Sequence, residues 1–258
     1  MSLFSSVEQT VREAGRLVLD RRLSSSVRKK SPTDYVTKTD LTVQSFIRER
    51  LYDLFPDVDF LGEEQEQTEL SMDRYVWILD PVDGTTNLVH GIDHCAVSLA
   101  LCEDGKPTAA FIYDPYKDEM FTAFKGEGAC LNGDRIHVSE VSALGDSLIG
   151  IGTFPAERSQ SSLIFDRIRH VFDRCIDIRR MGAASLDLCY VACGRLDGYF
   201  EDHLKPWDYA AGWLLVNEAG GLVTGYDGTD FAFRSDREIV AAGCGIFSEL
   251  LQTIQETC

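Results

Sequence analysis

Two carboxylates, Asp80 and Asp83, flank a proline in the run Trp77-Ile78-Leu79-Asp80-Pro81-Val82-Asp83-Gly84-Thr85-Thr86-Asn87. The apolar stretch Val76 to Leu79 reads as a buried strand, and Pro81, which has no N–H to donate, is expected to end it. Gly84, Thr85 and Thr86 follow, small residues whose backbone N–H groups can meet an anion. Acids at a strand end, joined to an anion-binding turn, suit a divalent cation that grips a phosphate.

Three more acidic segments can join them: Asp40, Glu63-Glu64 and Asp208. Hard oxygen donors select magnesium, manganese or calcium over softer metals. Each segment alone has an ordinary explanation. Asp40 reads as a helix cap or first-turn acid. Glu63-Glu64 reads as solvated surface, and Asp208 as an acid favoured by a helix start. The Asp80/Asp83 pair resists such a reading, because a turn needs one acid and not two.

Certain elements must position these groups. Phe4, Val7, Val11, Ala14 and Val18 fall at helical spacing, so the first twenty residues predict an amphipathic helix. Arg28 to Pro32 reads as a basic turn. A second helix follows Asp40, with Val43, Phe46, Ile47, Leu51 and Leu54 on its apolar face and Pro56 at its end. A short strand over 58–61 leads to Gly62-Glu63-Glu64, and 65–73 reads as a polar loop. Strand-like runs at 95–102, 108–113 and 119–124 precede Asn132-Gly133, a hairpin signal. Beyond 146, strands at 147–151, 175–178, 198–200 and 239–242 alternate with helices at 162–172, 184–193, 207–219 and 246–254, the pattern of a layered α/β arrangement. Pro206 near the start of the 207–219 helix and Gly220-Gly221 past its end bracket it. The expected halves are 1–145, α+β and carrying the main metal motifs, and 146–258, α/β and completing the site.

With 258 residues and 44% hydrophobic content, the chain can build one large domain or two small ones sharing a cleft. A net charge of −17 argues against binding a phosphate backbone, so no nucleic-acid polymer is expected as a partner. The eight cysteines include no CxxC pair and read as small hydrophobes. Cys189 and Cys193 are helical neighbours, and a redox role for them has weak support. No signal-peptide core or membrane span is visible, which makes a reducing cytoplasm the expected location.

Taken together, the motifs resemble the inositol monophosphatase family of magnesium-dependent, lithium-sensitive phosphatases. Asp80 to Asn87 is similar to its central signature, and Trp207-Asp208-Tyr209-Ala210-Ala211-Gly212 with Glu218-Ala219-Gly220-Gly221 to its C-terminal one. Val36 to Asp40 and Gly62-Glu63-Glu64 are similar to its two upstream segments. The order and spacing fit along essentially the whole chain.

The resemblance implies a mixed α/β fold, a layered α-β-α-β-α sandwich of the sugar-phosphatase type, and a homodimer. It implies two or three magnesium ions. Glu63, Asp80 and the Val82 carbonyl would hold the first, and Asp80, Asp83 and Asp208 the second. A third, weaker ion would use Glu63 and water. Thr85 and Asp40 would orient and deprotonate the attacking water, with Glu63 also catalytic and Glu64 behind it. Gly84 and Thr85 N–H groups would hold phosphate oxygens. Gly182, Ala183, Ala184 and Glu201 would contact a polyol, and Lys29 would stand near the site.

The implied activity is hydrolysis of a small phosphorylated polyol or sugar, first of all inositol monophosphate, by direct attack of water. No His or Cys sits in the motifs as a nucleophile, and His90, without a placed partner, reads as structural. Two sequence departures bear on substrate: Ile92-Asp93 replaces a common Phe-Pro pair, and Lys205 replaces a common histidine. Lys205 would favour a second phosphate, which keeps fructose-1,6-bisphosphatase and nucleotide phosphatase as alternatives. A catalytically silent metal- or polyol-binding regulator is the rival from another class.

Overall fold

The computed structural model describes residues 3–65, 74–230, 233 and 236–257. The chain opens with helix α1 (Leu3–Val18), the short α2 (Arg21–Ser24), strands β1 (Val27–Ser31) and β2 (Asp34–Thr37), and helix α3 (Lys38–Leu54). The expected apolar stripe of α1 is realised, with Val7, Val11, Ala14 and Val18 buried. Residues 28–32 differ from expectation. Residues 28–31 belong to a strand of a two-stranded antiparallel hairpin, with Arg28 opposite Val36 and Lys29 opposite Tyr35, and Pro32 lies in its turn. The stretch is too polar to show a strand's apolar alternation, so pairing alone decides its conformation. Most of the expected 65–73 loop lies outside the described residues.

A seven-stranded sheet follows, ordered β3 (Asp59–Gly62), β4 (Tyr75–Asp83), β5 (Ala96–Glu103), β6 (Lys106–Asp114), β7 (Glu119–Phe124), β8 (Gly128–Leu131), β9 (Asp134–Arg135). The β3/β4 pair is parallel and the rest are antiparallel. The expected hairpin turns at Asn132-Gly133, both with positive φ (50° and 89°). Helix α4 (Thr85–His90) interrupts the sheet between β4 and β5.

The second sheet has five strands, ordered β11 (Asp177–Arg179), β10 (Leu148–Ile151), β12 (Gly198–Leu204), β14 (Arg237–Gly243), β13 (Gly221–Thr224). Between them run α5 (Ser161–Phe172), α6 (Ala184–Ala192) and α7 (Pro206–Glu218), and α8 (Phe247–Gln255) closes the chain. Strand β13 was not legible, because four residues starting on glycine carry too little pattern.

Strand alternation sorts the core into layers. Trp77 and Leu79 face α1 and α3, packing with Val11, Val43 and Ile47. Val76 and Ile78 face the other way, onto Leu186, Leu188, Ala210 and Leu214 of α6 and α7. Those helices also cover Tyr199, Ile239 and Ala241 of the second sheet. Phe200, Val240 and Ala242 point to its outer face, under Ile168 of α5 and Leu250 of α8. The result is the expected α-β-α-β-α sandwich. Helices α6 and α7 are apolar almost all round because both their faces are covered.

Candidate active site

Strand β4 does not stop at Pro81. It continues to Asp83, and its ladder with β5 slips: Asp80 pairs with Ser98 and Asp83 with Ala96. Three steps on one strand oppose two on the other, which is a bulge of one extra residue. Pro81 falls within it, where a missing donor costs no ladder bond. Regular alternation would send residues three apart to opposite faces. The bulge lets both Asp80 and Asp83 line one cleft.

That cleft has a volume of about 540 Å³. Glu63, Asp80, Asp83, Glu201 and Asp208 line it, together with Val82, Gly84, Thr85, Gly182 and Ala184. Each acid is held by its own element. Glu63 leaves β3 with its N–H on Leu79 O (3.1 Å). Val82 N donates to Asp80 Oδ1 (2.9 Å). Ser185 N donates to Asp83 Oδ2 (2.7 Å), and the Ser185 hydroxyl donates to the same oxygen. Lys205 N donates to Asp208 Oδ2 (2.7 Å) at the start of α7.

Asp40 lies behind this set, fully buried. The Thr85 hydroxyl lies 2.9 Å from Asp40 Oδ1 and 2.9 Å from Val82 O, so its one proton is shared between two acceptors. Gly84 precedes α4 at φ 91°, where a Cβ would meet His94 O at 3.0 Å. Only glycine turns the chain there without strain.

Burial pushes these acids up, and their neighbours add to it. Glu63 rises to about 7, chiefly by desolvation, although Lys30 pulls it down. Asp83 rises to about 6 by burial, with the Ser185 donors opposing. Asp80 and Asp208 are pushed well above the carboxylate range by burial, with Glu63 and Asp83 repelling Asp80 and Asp83 repelling Asp208. So many buried like charges are costly unless a cation joins them. The Lys30 ammonium already fills part of that role, bonding Glu63 Oε1 (2.8 Å) and Glu64.

Among the described residues no three His, Cys, Asp or Glu side chains converge as a finished ligand shell. Magnesium does not need one, since it takes one or two carboxylates and completes its sphere with water and substrate oxygens. The hard donor set and its unmet negative charge fit such an ion.

Several placements differ from the sequence reading. Lys30, not Lys29, reaches the glutamates; Lys29 lies over the Tyr35 ring. Lys30 falls at a bulge in the β1–β2 ladder, between the Lys29/Tyr35 and Ser31/Asp34 pairs, which aims it apart from Lys29. Ala183 is buried and does not line the cleft, although Gly182 and Ala184 do. The Lys205 ammonium pairs with Asp236 and is not among the lining residues. Arg158 and Arg180 are the cleft's guanidinium groups instead. His90 lines the cleft and is exposed. Asn87 Nδ2 donates to His94 O and Met181 O (2.9 Å each), stitching the central motif to the Gly182 loop. No local pattern marked Arg158, Arg180 or the Asn87 stitch; Ser185 lay in a segment already singled out.

The Inositol monophosphatase family model matches residues 2–257. The chain belongs to the inositol monophosphatase family. A family relative named inositol-1-monophosphatase, from Rhizobium meliloti, is 46% identical over 199 residues, covering 77% of this chain and 75% of its own. A Pasteurella multocida protein named Nus factor SuhB is 39% identical over 251 residues, covering 96% and 93%. The crystal structure of extragenic suppressor protein suhB from Bartonella henselae superposes with a TM-score of 0.93 at 38% identity, covering 99% of each chain. The inositol monophosphatase family member described here is therefore a phosphatase. No helix among its described residues is long and apolar enough to cross a membrane.

Proposed function

We propose that the chain hydrolyses inositol monophosphate to inositol and phosphate with magnesium, and that lithium inhibits it. The observation that carries this reading is the Thr85–Asp40 hydrogen bond beside a cleft of buried acids. Glu63, Asp80 and the Val82 carbonyl would hold one ion, and Asp80, Asp83 and Asp208 a second. Glu63 would share in a third. Such ions neutralise the ester, lower the pKa of water and stabilise the leaving alkoxide.

The chain's own groups do the rest. In this reading the Thr85 oxygen takes a proton from the attacking water as its own hydroxyl proton passes to Asp40 Oδ1. Glu63 and Glu64 are tied together through Lys30, which keeps Glu63 at the cleft wall. Gly84 and Thr85 N–H groups orient the phosphate for in-line displacement. Glu201, with Gly182 and Ala184, faces the polyol, its carboxylate accepting hydrogen bonds from substrate hydroxyls.

The remaining proposals are of assembly and place. Phe165 and Phe172 on α5 and Ile176 beyond it are exposed, which supports a homodimer. The seven described cysteines are all free, which supports a reducing cytoplasm. We also take residues 1–145 and 146–258 as the two structural halves.

One observation favours a second reading. Arg158 and Arg180 line the cleft and suit a further anionic group, as in a sugar bisphosphate or a nucleotide bisphosphate. The deciding experiment is phosphate release from inositol 1-phosphate, fructose 1,6-bisphosphate and 3′-phosphoadenosine 5′-phosphate, with magnesium, EDTA or lithium. Magnesium-dependent, lithium-inhibited preference for the inositol ester is expected. Preference for a bisphosphate would move the substrate and leave the chemistry.

A further inference from the structure

We propose that Tyr199 is a positioning residue that fixes Glu201 as the acceptor for substrate hydroxyls, and so sets the preference for polyol esters. This rests on the reading of Glu201 given above. Tyr199 and Glu201 are two residues apart on β12 and therefore point to the same side of the sheet. Tyr199 is completely buried, packed in the layer between the two sheets. Its hydroxyl donates to Glu201 Oε2. A phenylalanine would fill the same apolar space, so the hydroxyl's contribution lies in that bond.

The Glu201 carboxyl is also bounded by backbone. A Cβ at Gly152 would lie 1.8 Å from Glu201 Cδ, so the carboxyl occupies the room that glycine leaves. Gly152 N donates to Phe200 O (3.0 Å), locking that backbone alongside β12. The carboxyl is thus clamped, with Oε2 turned inward to Tyr199. Oε1 takes no hydrogen bond among the described residues and is left for the cleft that Glu201 lines. Asp187, buried on α6, repels Glu201, and Arg180, which lines the same cleft, attracts it. Without the Tyr199 donor Oε2 loses its inward partner, and the carboxyl loses the fixed orientation that leaves Oε1 for the cleft.

The test compares inositol 1-phosphate with p-nitrophenyl phosphate, an ester that has no polyol hydroxyls, at saturating magnesium. For Tyr199→Phe, the ratio of kcat/KM values for the two esters is expected to fall roughly tenfold, the loss of one hydrogen bond. Nearly all of that fall should appear in KM for the inositol ester. Gly152→Ala crowds the carboxyl without touching the phenol and should lower the ratio in the same direction. A ratio unchanged in both variants, whether both esters suffer equally or neither does, overturns the proposal. Glu201→Gln separates the layers of the argument. If it lowers the ratio while Tyr199→Phe and Gly152→Ala do not, Tyr199 has no positioning role. If it too leaves the ratio unchanged, the Glu201 reading itself fails and takes this proposal with it.

Discussion

Asp40 divides its two oxygens between the cleft residue Thr85 and the start of α3: Oδ1 lies 2.9 Å from the Thr85 hydroxyl, and Oδ2 accepts from Thr37 N (2.8 Å) and Thr37 Oγ1 (2.5 Å). The second set caps α3, and Thr37 Oγ1 in turn accepts from Thr39 N (3.1 Å). A capping box and a site carboxylate are one residue here. Reading Asp40 as a helix cap was therefore correct and incomplete.

The two roles separate by mutation. Thr85→Ala should lower kcat by roughly 10²–10⁴ while magnesium binding and melting temperature stay near wild type. Thr37→Ala removes the cap and should cost about 1 kcal/mol of stability, with a much smaller loss of turnover. Steady-state kinetics and thermal melts on both variants check this. An unchanged rate in Thr85→Ala would remove Thr85 from the chemistry.

A divalent ion held by Glu63, as proposed, would compete with Lys30, because the ammonium bonds the same carboxylate. Glu63 and Glu64 in turn raise the Lys30 pKa, holding it charged against the desolvation that opposes it. Lys30→Gln should therefore lower the magnesium concentration needed for half-maximal activity by roughly 5–30-fold, a change of about 1–2 kcal/mol. The EDTA-treated variant should be less stable than wild type, since two neighbouring glutamates lose their counterion. Magnesium titrations of activity, with calorimetry, give the answer, and a weaker magnesium requirement in wild type would refute it.

Asp83→Asn should abolish most turnover yet stabilise the metal-free protein. The amide oxygen can still accept from Ser185, whereas the buried charge and its repulsion of Asp80 disappear. A gain of about 1 kcal/mol would raise the melting temperature by roughly 2–4 °C in a chain of this size. With excess magnesium, wild type should regain the advantage. Full activity with unchanged magnesium dependence would eliminate Asp83 as a ligand.

Acidification should stabilise the metal-free protein. Glu63 and Glu201 are raised by burial to about 7 and Asp83 to about 6, from ordinary values near 4.5 and 3.8. Between those limits the folded chain keeps protons that the unfolded chain has released. Their stabilising protonation is thus present below the window and lost as pH rises through it, by at most about 1.4 kcal/mol per pH unit for each group. His94, lowered by burial, opposes with a single group. Urea denaturation in EDTA should show a higher midpoint near pH 5 than near pH 7.5, and magnesium should flatten the slope. A midpoint that climbs with pH in EDTA would mean that the acids ionise at little cost.

Features set by neighbours along the chain were legible from the residues alone. The apolar stripe of α1, the positive-φ turn at Asn132-Gly133 and the Pro206/Gly220 bracket around α7 are local events, set by backbone sterics and helical period. The acid motifs were legible for the same reason: residue types at short spacing survive in a linear record.

Tertiary structure decided what depends on pairing. Pro81 ends no strand, because a bulge against β5 absorbs it and turns Asp80 and Asp83 the same way. A bulge in the β1–β2 hairpin chose Lys30 over Lys29 for the glutamates. Ser185 reaches Asp83 from 102 residues away, and Arg158, on a short 3-10 turn, and Arg180, on the loop after β11, line the cleft without a motif. A one-residue change of register reverses the face of every side chain that follows. The direction in which a named acid or lysine points is therefore fixed only once its partner strand is in place.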